Sequence, residues 1–170
     1  MIRKELVLMV GLPSSGKSHY VTSSLAGSYQ VVSTKAILHG LRNEGLTIPD
    51  DKLNDLYPIV GGVVRSHMHN GYGVVVDERN LEIESIFIWK KMAFQYKYSV
   101  KAIIIDTPVD VCIERIMKQG ATNKEAQVER MRKYSEQLDE LRLMFSMKHQ
   151  NILTDFRVIS YEEENKDEIL

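Results

Sequence analysis

Gly11-Leu12-Pro13-Ser14-Ser15-Gly16-Lys17-Ser18 is the stretch that decides the fold. It satisfies the pattern G-x-x-x-x-G-K-[S/T] at every specified position, and it lies between two segments of different periodicity. Before it, Leu6-Val7-Leu8-Met9-Val10 is an unbroken apolar run ending at a glycine, the pattern of a strand buried on both faces. After it, Gly16 to Leu25 reads as a helix. A loop in that setting binds phosphate for direct reasons. Glycines let the backbone curve around an anion with amide hydrogens pointing inward, and the helix start adds its positive dipole end. On this reading Gly11, Ser14, Ser15, Gly16, Lys17 and Ser18 cradle a nucleoside triphosphate, ATP. Lys17 places a point charge on the β- and γ-phosphates, and the Ser18 hydroxyl is a hard-oxygen ligand for Mg2+.

Outward from the loop, strands and helices alternate. Tyr29–Ser33 reads as a second strand and Thr34–Asn43 as a helix ended by Gly45. Lys52–Asn70 is mostly helical, with Pro58 expected to kink or restart it. Gly73–Asp77 is a third buried strand. Asn80 is placed to cap a helix running to about Tyr96, with Glu82 and Glu84 in its first turn. Val100–Asp106 is a fourth strand. Thr107-Pro108-Val109-Asp110 combines a capping hydroxyl with proline at the first helical position, which starts a helix that stops at Gly120. Thr122 and Glu125 form a capping box for a long helix to about Lys148, and Phe156–Ile159 reads as a fifth strand. Parallel strands need helical crossovers, so the expected class is α/β: a doubly wound parallel sheet of about five strands with helices on both faces, the P-loop NTPase fold. No linker or repeat divides the chain, so residues 1–170 read as a single domain. Residues 161–170 form an acidic, solvated tail.

Composition narrows the function classes. The chain has 170 residues, 44% of them apolar and 26% charged, and 22 Lys plus Arg against 23 Asp plus Glu leave a net charge of −1. That balance excludes a histone-like electrostatic binder while leaving room for a local basic groove. Cys112 is the only cysteine, so no intrachain disulfide forms, and its apolar neighbours mark it as packing in a reducing compartment. The longest apolar runs fall far short of the roughly 20 residues that cross a bilayer, and no cleavage site follows Leu6–Val10. A cytoplasmic protein is expected.

Three further stretches bear chemistry. Val74-Val75-Val76-Asp77 delivers a carboxylate at the end of a buried strand, where it would hold magnesium or its water beside the phosphates. Arg79 and Asn80 follow at once; Asn80 is read equally as a helix cap or a ligand contact. Arg115 and Lys118 share a helix face that leads into Gln119-Gly120-Ala121-Thr122, a link able to close over a triphosphate as a lid, or else a solvated basic helix end favoured by the dipole. His67 and His69 are two apart and diverge on a helix, which argues against a metal pair.

Taken together, these segments resemble the small P-loop kinases related to the phage polynucleotide 5′-kinase domain, with zeta-toxin-like and transfer-RNA-kinase-like relatives. The resemblance runs from about Glu5 to Leu143. It rests on residues 11–18, on Val-Val-Ser-Thr-Lys-Ala-Ile-Leu at 31–38, on Val-Val-Asp-Glu-Arg-Asn-Leu at 75–81, and on Ile-Ile-Ile-Asp-Thr-Pro-Val-Asp-Val-Cys-Ile-Glu-Arg at 103–115. It implies an ATP- and Mg2+-dependent kinase that moves the γ-phosphate to a hydroxyl, with a polynucleotide 5′-hydroxyl or a nucleotide-like molecule as favoured acceptor. It places the lid arginine at Arg115 and the acidic residue after the third strand at Asp77. The family's D-x-x-R element, which supplies a base and a phosphate-orienting arginine, falls on Lys35 and Leu38, and a second lid arginine falls on Gln119. An ammonium beside a triphosphate is held protonated and cannot accept a proton. The expected catalytic set is therefore Lys17, Asp77, Arg115 and Lys35. Lys35, Arg79 and Asn80 face the acceptor, and Ser18 with Asp77 faces the metal. Asp50, Asp51 and His39 are weaker candidates for a base. A degenerate kinase that binds ATP as a regulatory module is the alternative, and a bare ATPase or GTPase switch is a third.

Overall fold

The computed structural model describes residues 4–49, 52, 56–147 and 153–160. Asp50, Asp51, His149 and the acidic tail lie outside the described residues. Among the described residues five strands and six α-helices follow one another: β1 Glu5–Val10, α1 Lys17–Tyr20, β2 Gln30–Val32, α2 Thr34–Asn43, α3 Tyr57–His69, β3 Val74–Val76, α4 Ile83–Gln95, β4 Ser99–Asp106, α5 Val109–Lys118, α6 Lys124–Ser146 and β5 Asp155–Ser160. The sheet is parallel throughout, in the order β2-β3-β1-β4-β5. Its register pairs Leu8 of β1 with Val76 on one side and Ala102 on the other.

The apolar run of β1 is explained by this placement. Successive side chains of a strand point to opposite faces, and β1 has a covered face on each side. Leu6, Leu8 and Val10 pack with Val74, Val76, Ala102 and Ile104 beneath α3, α4, α5 and α6. Val7 and Met9 pack with Val75, Ile103, Ile105 and Ile159 against Val21 and Tyr29. All five β1 residues from Leu6 to Val10 are at most 1% exposed, each burial stabilising by roughly 1.5–3 kcal/mol. The two faces are unequal: four helices cover the first, while the α1 segment covers the second.

Strand order also fixes where a ligand can sit. From β1 the chain moves outward to β2, and after β3 it crosses over β1 to reach β4. The carboxyl end of β1, between β3 and β4, is thus the topological switch point, where open α/β sheets have their crevice. The loop at 11–18 leaves β1 at that end.

Several expected local features are built differently. The single helix expected over 16–25 is one α-helical turn followed by a π-helical turn, Val21–Leu25. Hydroxyls compete for its carbonyls, Thr22 Oγ1 donating to Ser18 O at 2.8 Å and Ser23 Oγ to Tyr20 O at 3.3 Å, and such back-bonding loosens the α ladder. Of the two expectations for Pro58, a restart is what forms: it stands in the first turn of α3, since its missing N–H falls where a helix leaves donors unused. Asn123, not Thr122, caps α6, accepting from Ala126 N at 3.0 Å. The Thr107 hydroxyl reaches across the fold and donates to Ser15 O at 2.7 Å. Asn80 does not cap α4, whose first flanking residue is Glu82. Asn80 is 2% exposed. Its Nδ2 donates to Met9 O at 2.8 Å and to Val76 O at 3.4 Å, and its Oδ1 accepts from Trp89 Nε1 at 3.1 Å. The side-chain amide therefore ties β1, β3 and α4 together beneath the site.

Removing that amide strands a buried indole N–H and a strand carbonyl. Leaving such groups unsatisfied costs about 1–3 kcal/mol each. Asn80→Ala is expected to lower the urea midpoint by at least the equivalent of about 2 kcal/mol with an unchanged m-value, measured by tryptophan fluorescence and circular dichroism.

Candidate active site

The loop is shaped by two backbone conditions that only its glycines meet freely. Gly11 has φ +150°, and a Cβ there would lie 2.8 Å from Ile105 O. Gly16 has φ +106° and immediately precedes α1. Ser14 adopts φ +57° without being glycine, a conformation unusual enough to mark a functional turn. Contacts from distant segments hold the loop in place. Gly11 N donates to Arg79 O at 3.2 Å, Thr107 holds Ser15 O, and Arg115 Nη1 donates to Ser14 O at 3.2 Å. The loop of β1 is thereby fastened to the segments after β3 and after β4.

Lys17 is 8% exposed. Its Nζ donates to Leu12 O at 2.6 Å, to Gly11 O at 3.0 Å and to Ser15 Oγ at 3.5 Å. Burial lowers its pKa from 10.5 to about 8, with the charge of Asp77 acting in the opposite direction, because desolvation penalises the ammonium and a carboxylate supports it. Ser18 is exposed, and its hydroxyl donates to Asp77 Oδ2 at 2.7 Å. Two hard oxygen atoms from β3 and α1 thus meet at the mouth of the loop, a donor pair suited to magnesium or to its water.

Beside them opens a cavity of about 330 Å³ lined by Ser14, Ser15, Gly16, Lys17, Ser18, His19, Lys35, Arg115 and Gln119. Three of those side chains are cations and none is a carboxylate. Lys35, from the first turn of α2, is brought to the same cavity as Lys17 and Arg115. Arg115 of α5 is half-buried against the loop, and Gln119 Oε1 accepts from Ser14 Oγ at 3.4 Å, so the end of α5 and the first residue after it both touch the loop. Leu38 is half-buried and absent from the cavity's lining.

Arg79 lies elsewhere. Its guanidinium carbon stands 4.9 Å over the ring of Tyr134 and it donates to the Tyr134 hydroxyl. Tyr57, Asn80, Leu81, Glu82, Ser85 and Gln137 line the small cleft around that pair. Sequence reading did not single out Tyr57, Tyr134 or Glu78. Glu78 accepts from Thr34 N at the start of α2, which suits a carboxylate at a helix N-terminus, and its place directly after Asp77 was the available signal. Tyr134 carried none, being one aromatic residue on a long charged helix.

A nucleotide-sized, cation-lined cavity at the switch point of a parallel sheet, closed by a glycine-bounded loop with a buried lysine, defines a P-loop nucleotide-binding domain. The chain belongs to the AAA domain family (AAA_33), whose pattern matches residues 6–139. It is 26% identical over 128 residues, 69% of its length, to a protein of Autographa californica nuclear polyhedrosis virus named as a bifunctional polynucleotide kinase/RNA ligase. The chain spans 18% of that viral relative. Among solved structures it is similar to a protein of Chloroflexus aurantiacus named as a kinase, with TM-score 0.69 and 14% identity over 98% of this chain and 93% of that one. It is similar to a chain of the Pnkp1/Rnl/Hen1 RNA repair complex, with TM-score 0.67 and 18% identity over 85% and 47%. A gluconokinase from Sinorhizobium meliloti gives TM-score 0.56 and 14% identity over 94% and 84%. These structural likenesses establish the shared fold, and the distant kinship to polynucleotide kinases agrees with the four sequence segments.

The burial of Lys17 gives nucleotide binding a pH signature. In the free protein the ammonium is half-charged at its pKa of about 8 and loses its charge as the pH rises through that value. Bound phosphates favour the charged form and raise that pKa. Between the two values the complex carries one more proton than the free protein. Affinity for ATP is therefore expected to be flat below pH 8 and to fall as pH rises above it, by up to about tenfold per pH unit. Calorimetry at about pH 9 in two buffers of different ionisation enthalpy should register uptake of nearly one proton. Lys17→Arg should abolish the uptake.

Proposed function

We propose that this chain is an ATP- and Mg2+-dependent phosphotransferase that moves the γ-phosphate to a hydroxyl, with a polynucleotide 5′-hydroxyl or a nucleotide-like molecule as its favoured acceptor. The observation that carries this reading is the meeting of Ser18 Oγ with Asp77 Oδ2 at 2.7 Å beside a cavity lined by Lys17, Lys35 and Arg115. A triphosphate needs cations around its oxygen atoms and a hard-oxygen site for its metal, and phosphoryl transfer is catalysed largely by such positioning and charge stabilisation. The loop amides and Lys17 would hold the β- and γ-phosphates. Ser18 and Asp77 would hold magnesium, which supplies charge neutralisation across those phosphates. Arg115 would stabilise the charge that develops on the transferring group, and Lys35 would contact a donor or acceptor phosphate. The viral relative named as a polynucleotide kinase favours a nucleic-acid end as acceptor.

A second reading has a specific motive. Lys35 brings a cation to the phosphate cavity from the α2 position where the kinases it resembles carry an acid. A chain altered in that way would bind ATP as a regulatory module without transferring phosphate.

Transfer of labelled γ-phosphate from ATP to a 5′-hydroxyl oligonucleotide separates the two. The kinase reading expects transfer by the wild type and its loss in Asp77→Asn. Arg115→Ala should lower kcat by about 10²–10³-fold, the scale of removing one preorganised charge stabiliser, with little change in ATP affinity. ATP binding without transfer to any hydroxyl acceptor would establish the regulatory reading instead.

A further inference from the structure

The cleft around Arg79 is separate from the phosphate cavity: the two share no lining residue. They are nonetheless joined at the backbone, because Arg79 O accepts from Gly11 N, the first residue of the phosphate loop. Arg79 is also near enough for its charge to act on both Lys17 and Tyr57. The cleft thus flanks the loop on the β3 side, whereas Arg115 and Gln119, which follow β4, flank it on the other.

Its construction is specific. The guanidinium of Arg79 lies over the Tyr134 ring and donates to its hydroxyl. Stacking and hydrogen bonding fix the orientation of a flat cation whose residue is otherwise exposed. Tyr57, at the first turn of α3, is 41% exposed and lines the same cleft. Around these planes stand Glu82, Ser85 and Gln137, a set that offers both hydrogen-bond donors and acceptors. The enclosed volume is about 70 Å³, too small to swallow a ligand the size of a nucleoside, so the cleft serves as a platform on which a flat group lies. Flat guanidinium and phenol faces with polar groups at the edge are the equipment that recognises unstacked bases of single strands.

We propose that Arg79, Tyr57 and Tyr134 form a base-stacking platform for the terminal nucleotide of a single-stranded acceptor, held beside the phosphate loop so that its 5′ end faces the cavity. This deepens the proposed function and rests on it for the meaning of the site, but the platform is testable as a binding surface without catalysis.

The experiment measures fluorescence anisotropy of a short single-stranded 5′-hydroxyl oligonucleotide, and of the same strand with an abasic 5′-terminal residue, against the full chain without ATP. Base stacking on aromatic side chains is worth about 1–3 kcal/mol per base, or about 5- to 150-fold in affinity. Wild type should bind the intact strand at least about fivefold more tightly than the abasic one. Tyr57→Ala should erase that preference and Tyr57→Phe should retain it. Arg79→Lys, which keeps the charge and loses the plane, should also erase it. Binding of a fluorescent ATP analogue by each variant confirms that the loop is intact. Equal affinity for the two strands, no binding of either, or a preference that survives Tyr57→Ala would each overturn the platform. A strand preference without any phosphate transfer would uphold the platform while refuting the kinase reading; transfer without a base preference would do the reverse.

Discussion

Everything at the site follows from holding one ammonium group almost out of water. Lys17 is 8% exposed, and its nearest partners are the carbonyls of Gly11 and Leu12. Carbonyl oxygens satisfy its donors without cancelling its charge, so the loop keeps a net positive centre that an anion can neutralise. Holding it in this state has a cost, visible in the fall of its pKa to about 8, which corresponds to about 3 kcal/mol relative to a solvated lysine. The surrounding structure must offset that cost, and the density of ties on the loop reflects it. Arg79 O, Thr107 and Arg115 each fasten a different part of the loop.

Those ties come from three places in the chain that only the sheet order brings together. β1 sits between β3 and β4, so the connections after all three strands meet at one end of the sheet. Asp77 arrives there because three consecutive valines bury β3 completely and leave the next residue at the rim. Asn80 then locks β3 to β1 and to Trp89 of α4 from below. A parallel sheet is therefore more than a scaffold here. It sets the Ser18–Asp77 distance, and hence the geometry of any hard-oxygen metal site.

The fold was legible in the sequence because its signals are periodic and redundant. The β1, β3 and β4 runs are unbroken apolar segments between turn residues, and the eight-residue loop motif fixes what lies on each side. The site was legible where a residue acts through its place in that motif, as Lys17 and Ser18 do. It was illegible where contact depends on packing between distant elements. Nothing in Tyr134 announces that Arg79, 55 residues earlier, will lie across its ring. The expected Asn80 cap failed for a related reason. Asn80 has the chemistry of a helix cap, but the oxygen that would accept from a helix N–H is taken by Trp89 Nε1. A buried indole N–H left without a partner costs more than a frayed helix end that water can reach, so the long-range contact prevails.

The distribution of charge around the loop gives the site a direction. The phosphate cavity gathers Lys17, Lys35 and Arg115 and no carboxylate. The acids stand on the β3 side, with Asp77 at Ser18, Glu78 at the start of α2 and Glu82 beside the Arg79 cleft. A lysine at position 35 strengthens the cationic wall and removes a proton acceptor from α2. For a reaction that depended on full deprotonation of its acceptor, that exchange would weigh heavily, since general-base help is worth roughly 10²–10⁴-fold. For transfer through a loose, metaphosphate-like transition state, bond formation to the acceptor lags, and charge stabilisation with alignment matters more than early proton removal. Three fixed cations gathered around one glycine-bounded loop, with a hard-oxygen pair at its mouth, are the equipment that the second kind of chemistry requires.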